Sequence, residues 1–378
     1  MRPQVYSLPE RLEASFKYKG RGVCVAFVDS GFYPHPDLMR PKRRIKAYAD
    51  ATRESPVADE FFNPHVWAWH GTMTACCAAG NGWLSGGRYR GLASEADVVL
   101  IKAGAEDGQI IGKNVAHAIR FPLRYPHLGI RVLNASLGVS PGDPDIADVL
   151  AAVEEVVAAG ITVVAAAGNT PGRPPSGPGA AKSAITVGGG NDNNNPGQDD
   201  DTLWPSSHGS TGTGVHKPDL IAPAIWVPAP MLPGTPTARE AAPLFQLLSV
   251  LEELSAEYGF SETRQIATPD ERASVTTLME SVAARIQRCK YISPDYQHVD
   301  GTSFAAPITA AVAAQMLEAD PTLTPAEVRE GLCATARQMP RVDKGLQGAG
   351  VVMPRAAVEW ALKRLQKSKA AAAAKAAK

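Results

Sequence analysis

Six consecutive apolar residues, Val23-Cys24-Val25-Ala26-Phe27-Val28, run into Asp29-Ser30-Gly31 and constrain the fold of this chain more than any other stretch. A strand with no polar face must be covered on both sides, which is the condition of a parallel sheet lying between helices. Comparable runs recur. Ala96–Lys102, Ile130–Asn134, Ile161–Ala166 and Ala184–Gly188 read as strands, and Lys113–Tyr125 and Asp145–Ala159 as helices between them. The second helix places Ile146, Val149, Leu150, Val153 and Val156 on one face. This alternation predicts an α/β, doubly wound fold with a mostly parallel central sheet flanked by helices.

Open α/β sheets carry their chemistry at the C-terminal ends of strands, which is where Asp29 lies. Two further motifs put a polar residue at the start of a helix of small residues. Gly301-Thr302-Ser303-Phe304-Ala305-Ala306-Pro307 presents a hydroxyl ahead of a helical run from Ala305 to Leu317. There the helix dipole and unpaired N–H groups favour an anionic transition state, and Pro307 is expected in the first turn. His70-Gly71-Thr72-Met73-Thr74-Ala75-Cys76-Cys77 opens a second such helix. A serine is a weak nucleophile until a base takes its proton, so Asp29, His70 and Ser303 are the candidate catalytic residues. Taken singly, each has a plainer alternative as a turn former, a core histidine or a helix cap. Their occurrence together favours catalysis. His35, His65 and His117 have no such partners, and Cys76-Cys77 reads as core packing rather than as a thiol nucleophile or metal site.

These segments, in the order Asp, His, Ser, resemble the catalytic motifs of the subtilisin-like serine peptidases, the subtilases. Ile161-Thr162-Val163-Val164-Ala165-Ala166-Ala167-Gly168-Asn169 is similar to the family's strand ending in an oxyanion-binding asparagine. Asn134-Ala135-Ser136-Leu137-Gly138, Lys217-Pro218-Asp219-Leu220-Ile221-Ala222-Pro223 and Gly348-Ala349-Gly350-Val351-Val352 extend the likeness, which runs from Val23 to Leu365. The resemblance implies a three-layer α/β domain over residues 1–365 that hydrolyses peptide bonds through an acyl-enzyme. It gives Asn169 and the Ser303 N–H the oxyanion, and lays an extended polypeptide substrate between Ser136-Leu137-Gly138 and the segment Ala103–Ala105. Ala166, Gly168 and the loop Pro175-Ser176-Gly177 then line a primary pocket suited to a large apolar side chain. Because subtilases often bind calcium, Asp199, Asp200 and Asp201 in the surface loop Gly189–Pro205 are candidate ligands, the alternative being a solvated acidic loop. No other cofactor is expected.

With 44% hydrophobic residues, 20% charged and a formal net charge of zero, the chain can build a large core. It lacks the global field that draws a protein to nucleic acid or a membrane surface. No apolar run approaches the roughly 18 residues of a membrane-spanning helix. The first residues lack the apolar core of a secretory signal, and the short stretch before Asp29 leaves no room for a propeptide. Five cysteines leave at least one unpaired. Free thiols persist in reducing compartments, so a cytoplasmic member of the family is expected.

The chain departs from the family between Ala222-Pro223 and Gly301, where an insertion at about 235–298 carries two helical patterns. Glu240–Tyr258 spaces Leu244, Leu247, Leu248, Leu251 and Leu254 helically, and Gly259 stops it. Thr268-Pro269-Asp270-Glu271 is a capping box for a second helix with Val275, Leu278, Met279, Val282 and Ile286. Both stripes need cover. One reading packs the hairpin on the scaffold, with Leu247, Leu251, Leu278 and Val282 against the core; the other makes it a lid or a docking element for a protein partner. A partner-restricted processing peptidase is therefore the alternative function, and an inactive subtilase-fold binding protein a third. Thr324-Pro325-Ala326-Glu327 caps a helix to about Arg337, and residues 366–378 form an Ala/Lys-rich flexible tail.

Overall fold

A computed structural model describes residues 4–53, 61, 65–196, 200–259 and 269–376. Its centre is a sheet built from β1 (Cys24–Asp29), β2 (Ile45–Asp50), β3 (Asp97–Lys102), β4 (Ile130–Ala135), β5 (Thr162–Ala166), β6 (Ile185–Asn191) and β7 (Leu220–Pro223). The spatial order is β7-β6-β5-β4-β1-β3-β2, with every pair parallel. The short segment Thr202–Leu203 adds an antiparallel edge on β6. β1 sits between β3 and β4, so the connections diverge to either side of it, and Asp29 stands at the C-terminal end where such a divergence opens a crevice.

Successive β1 side chains face opposite layers. Val25 and Phe27 enter one core, and Cys24, Ala26 and Val28 the other. The second core is closed by α2 (Gly112–Arg124) and α3 (Ile146–Ala158). The first is closed by α1 (Ala68–Ala79) and α6 (Thr302–Ala319), with α7 (Pro325–Thr335) and α8 (Pro354–Ala376) outside them. In α6 every residue except Ser303 and Glu318 is buried. Alanines on all sides let this helix pass beneath β4, β5, β6 and β7 at close range. The Thr324 capping box at α7 forms as expected. The Ala/Lys-rich stretch continues α8 as helix to Ala376, exposed from Gln366 to Ala374.

Three expectations are corrected. α6 starts at Thr302 rather than Ala305, which moves Pro307 out of the first turn into the helix body. The loop expected from Gly189 begins later, because β6 continues to Asn191. β2 was not anticipated: Ile45-Lys46-Ala47-Tyr48-Ala49-Asp50 mixes polar and apolar residues because it is the sheet edge.

The insertion is a hairpin of α4 (Pro236–Gly259) and α5 (Pro269–Arg288), the first beginning one turn ahead of Glu240. Thr268 of the expected capping box lies outside the described residues. Ala241, Phe245, Leu248 and Leu251 bury against Val282 and Ile286. Leu247 and Leu278, expected against the core, instead face solvent at 40% and 46% exposure, beside exposed Val250. The helices pack chiefly on each other, so a few positions on each satisfy their seam, Leu244 and Leu254 are only half-covered, and Leu247 and Leu278 have no cover. At the base Glu240 pairs with Arg285 at 2.6 Å and accepts the Tyr291 hydroxyl at 2.9 Å. The chain then returns through β9 (Tyr296–Val299), antiparallel to β8 (Val227–Pro230). The buried Tyr296 hydroxyl donates to Asp37 at 2.6 Å, and Asp300 joins Lys290 to the Trp226 N–H ahead of the Ser303 turn.

Candidate active site

Asp29 ends β1 almost fully buried, and its carboxylate is held from three directions. Oδ1 accepts the Ser30 N–H at 2.8 Å and contacts His70 Nδ1 at 2.7 Å, while Oδ2 accepts the Thr74 hydroxyl at 3.2 Å. His70 is the third residue of α1, and Thr74 follows it by four, on the same helical face. Gly71 makes the approach feasible. A Cβ there would lie 2.2 Å from the Gly31 carbonyl oxygen and 2.8 Å from Asp29 Cβ, so only glycine lets α1 seat against the end of β1. The His70 ring meets Trp69 edge-on at 5.3 Å and packs on Phe304 at 5.6 Å between centroids. Burial opposes charging of His70, but the Asp29 carboxylate and its hydrogen bond outweigh that and raise the imidazole above its ordinary 6.5.

Ser303 is the one half-buried residue in the first turn of α6, and it opens onto a cleft of ≈ 400 Å³ that Asp29 and His70 also line. The other wall comes from Ser136, Leu137 and Gly138 after β4, from Ala166 at the end of β5 and Gly168 and Asn169 after it, and from Ser176. All nine residues singled out from the sequence therefore meet in one cleft. The Ser176 hydroxyl donates to the Val139 carbonyl at 3.0 Å, which docks its loop beside the β4 end.

Asn169 is oriented by a residue the sequence reading passed over. The Thr302 N–H and hydroxyl both donate to Asn169 Oδ1, at 3.0 and 2.8 Å, and the Thr302 oxygen in turn accepts the Gly168 N–H at 3.1 Å. With Oδ1 committed, Nδ2 is the end left for a substrate oxygen. Gly301, at φ 127°, keeps its α-carbon clear of Nδ2, which a Cβ would approach to 3.3 Å. Thr74 was legible only as the i+4 neighbour of His70, and Thr302 only as the residue beside Ser303; neither type by itself signals a role.

A second cavity of ≈ 470 Å³ opens beside the first, sharing Ser30 and lined by Tyr48, Trp67, Arg53 and Lys102 among others. Trp67 and Trp69, each about 40% exposed, lie at the start of the helix that carries His70. Two of the three carboxylates weighed for calcium are otherwise engaged. Asp201 pairs with Arg337, Asp200 accepts Asn193 Nδ2 at 3.0 Å, and Asp199 lies outside the described residues. Among the described residues no three His, Cys, Asp or Glu side chains converge as a metal site. All five cysteines are free thiols, with Cys76 and Cys77 buried and their thiols pushed up mainly by that burial. No helix among the described residues is long and apolar enough to cross a membrane.

Comparison with known proteins gives a consistent result. Residues 20–350 match the Peptidase S8 subtilase family. Serine protease AprX of Bacillus subtilis (strain 168) is 31% identical over 343 residues, covering 88% of this chain and 65% of that protein, so the chain spans somewhat less than two thirds of its relative. Among solved structures, a protease of Pseudoalteromonas arctica PAMC 21717 superposes with a TM-score of 0.61 at 22% identity, covering 94% of each chain. A cold-adapted subtilisin-like serine proteinase follows at 0.56 and 18%, covering 89% of each. These likenesses share the fold of the central sheet and its flanking helices.

Proposed function

Because this chain belongs to the subtilase family, we propose that it is a serine endopeptidase cleaving polypeptides through Asp29, His70 and Ser303. Ser303 Oγ attacks the scissile carbonyl while His70 takes its proton, then delivers it to the leaving amine; water later resolves the acyl-enzyme. Asp29 fixes the imidazole tautomer and steadies the imidazolium. The observation that carries the reading is the 2.7 Å contact of His70 Nδ1 with buried Asp29, on the wall of the cleft into which Ser303 opens. The oxyanion role of Asn169 is supported by the commitment of its Oδ1 to Thr302, which leaves an amide N–H for the developing charge beside the Ser303 N–H.

An extended substrate pairs with the edge at Ser136-Leu137-Gly138 and sets one side chain against Ala166 and Gly168, whose small size leaves room for a large apolar group. The preceding side chain points the other way, toward Ser30 and the cavity walled by Trp67 and Tyr48. The five free thiols favour a reducing, cytoplasmic setting. A partner-restricted enzyme is the second reading, favoured by the exposed apolar residues Leu247, Val250 and Leu278 on the insertion.

A fluorophosphonate probe and unfolded casein test both. Labelling of the wild type but not of Ser303→Ala, with general casein cleavage, supports a broad peptidase. Labelling without casein cleavage favours the restricted one. A wild type that neither labels nor cleaves overturns both.

A further inference from the structure

The contacts above hold the side chains of the triad, but the backbone of Ser303 has its own support. In an α-helix the carbonyl of residue i accepts from the N–H of residue i+4. α6 begins at Thr302, and the residue four after Ser303 is Pro307, which has no N–H to give. The Ser303 carbonyl therefore lacks its helical donor. The Ser136 hydroxyl takes that place, donating to the Ser303 carbonyl oxygen at 2.8 Å. Ser136 Oγ itself accepts Asn134 Nδ2 at 2.9 Å. Both side chains are almost fully excluded from solvent, Ser136 at 1% and Asn134 at 0% exposure, so water cannot easily stand in for the hydroxyl. A hydroxyl has a single proton, and with Asn134 donating to its oxygen, that proton is directed to Ser303.

We propose that Ser136 is a positioning residue for the nucleophile: its hydroxyl replaces the hydrogen bond that Pro307 removes, and so fixes the first turn of α6 against the end of β4. The proposal rests on Ser303 being the attacking residue. It also ties two functions together, because the main chain of Ser136 borders the cleft where substrate pairs. One hydroxyl joins the substrate-holding edge to the backbone that carries the nucleophile, so both move as one piece.

The test is a double-mutant cycle on a small peptide substrate, read as kcat and KM separately. Ser136→Ala is expected to lower kcat by about tenfold, with KM within about twofold, because a buried carbonyl next to the nucleophile is left unpaired. Ser136→Thr, which keeps the hydroxyl, should recover most of the rate. Ser136→Cys, a weaker donor of similar size, should fall between and serves if the alanine variant does not fold. Pro307→Ala supplies the missing N–H at position 307. In that background the loss from Ser136→Ala should shrink to less than about threefold. An equal loss in both backgrounds overturns the proposal, since the effect then has nothing to do with the Ser303 carbonyl. So does a raised KM at normal kcat, which assigns Ser136 to substrate holding alone. Failure of the serine-peptidase reading shows differently, as a wild type with neither turnover nor fluorophosphonate labelling.

Discussion

Helix α6 and the α4–α5 hairpin are both helical and adjoin one another in sequence, yet they are built on opposite terms. α6 is enclosed on every side by five strands and three helices, and its alanines set how near the neighbours come. The hairpin buries one seam between its own two helices and leaves Leu247, Val250 and Leu278 in solvent. A helix packed all round cannot shift without moving the sheet, so it is a fit mount for an atom that must be placed within a fraction of an ångström. A hairpin whose contacts are mostly internal can open, exchange or dock without that consequence. Rigidity in this molecule follows enclosure rather than helix length.

The largest effects should come from the enclosed side. Ser303→Ala and His70→Ala are each expected to lower kcat by roughly 10⁵-fold or more, with the double variant no worse than either single one, because the two act as a unit. Asn169→Ala should lower kcat by about 10²–10³-fold with KM nearly unchanged, since its amide acts on the transition state. A raised KM at normal kcat would move Asn169 into ground-state binding and weaken the case for the Thr302 clamp.

The next experiment sets the two regions directly against each other. Ala311→Leu, in the middle of α6, should destabilise the whole domain by about 1–3 kcal/mol through overpacking, and activity should fall with it. Leu251→Ala removes a comparable volume from the hairpin seam and should speed hydrogen exchange in residues 236–288, with kcat on a small substrate unchanged. Replacing residues 236–288 by a short Gly/Ser connection should likewise leave a folded enzyme active on small substrates. Loss of the fold in that deletion would show that the hairpin is scaffold and erase the contrast.

Titration gives the smallest and most specific effects. His70 must be neutral to act as base, so kcat/KM should rise with pH to a midpoint above 6.5, reflecting the hold of Asp29 on the imidazolium. The same raised value means that its contribution to stability is fully present below 6.5 and fades as pH rises through the folded value. His35 and His298 behave oppositely. Burial pushes each down to about 4, for His298 with smaller effects from its neighbours, so their neutral forms belong to the fold. Stability from these two is present above 6.5 and lost as pH falls toward 4. A thermal melt series over that range should show the decline, and His35→Leu, if it folds, should flatten it. A decline of equal slope in His35→Leu would remove His35 from this account.

Much of the site was readable because its residues sit next to the signals that place them. Asp29 follows an apolar run, His70 and Ser303 open helices of small residues, and Asn169 ends a strand, so each is fixed by local sequence. The residues that went unread depend on partners distant in the chain. Thr302 matters because Asn169, 133 residues earlier, accepts its hydroxyl; Ser136 was read only for the main chain that pairs with substrate, because the partner of its hydroxyl, Ser303, lies 167 residues further on. The hairpin leucines misled for another reason. Helical spacing reports a stripe that can be buried, whereas the number actually buried depends on how wide a surface the partner offers. β2 escaped notice because an edge strand is wet on part of one face and loses the continuous apolar signature that marked β1.

The strand order has a consequence for when the cleft is assembled. Asp29 and His70 leave the ribosome early, but Asn169 and Ser303 arrive on later segments, and β1 acquires its neighbour β4 only after β2, α1, β3 and α2 have been made. α6, which packs beneath β4, β5, β6 and β7, is made after all four of them. A partial chain ending before α6 lacks Ser303, the nucleophile of the proposed mechanism, and parallel pairing across long connections is slow to form. Chain order thus acts as a timer: on the proposed mechanism, the cleft gains its attacking hydroxyl only after every strand of the central sheet has been made.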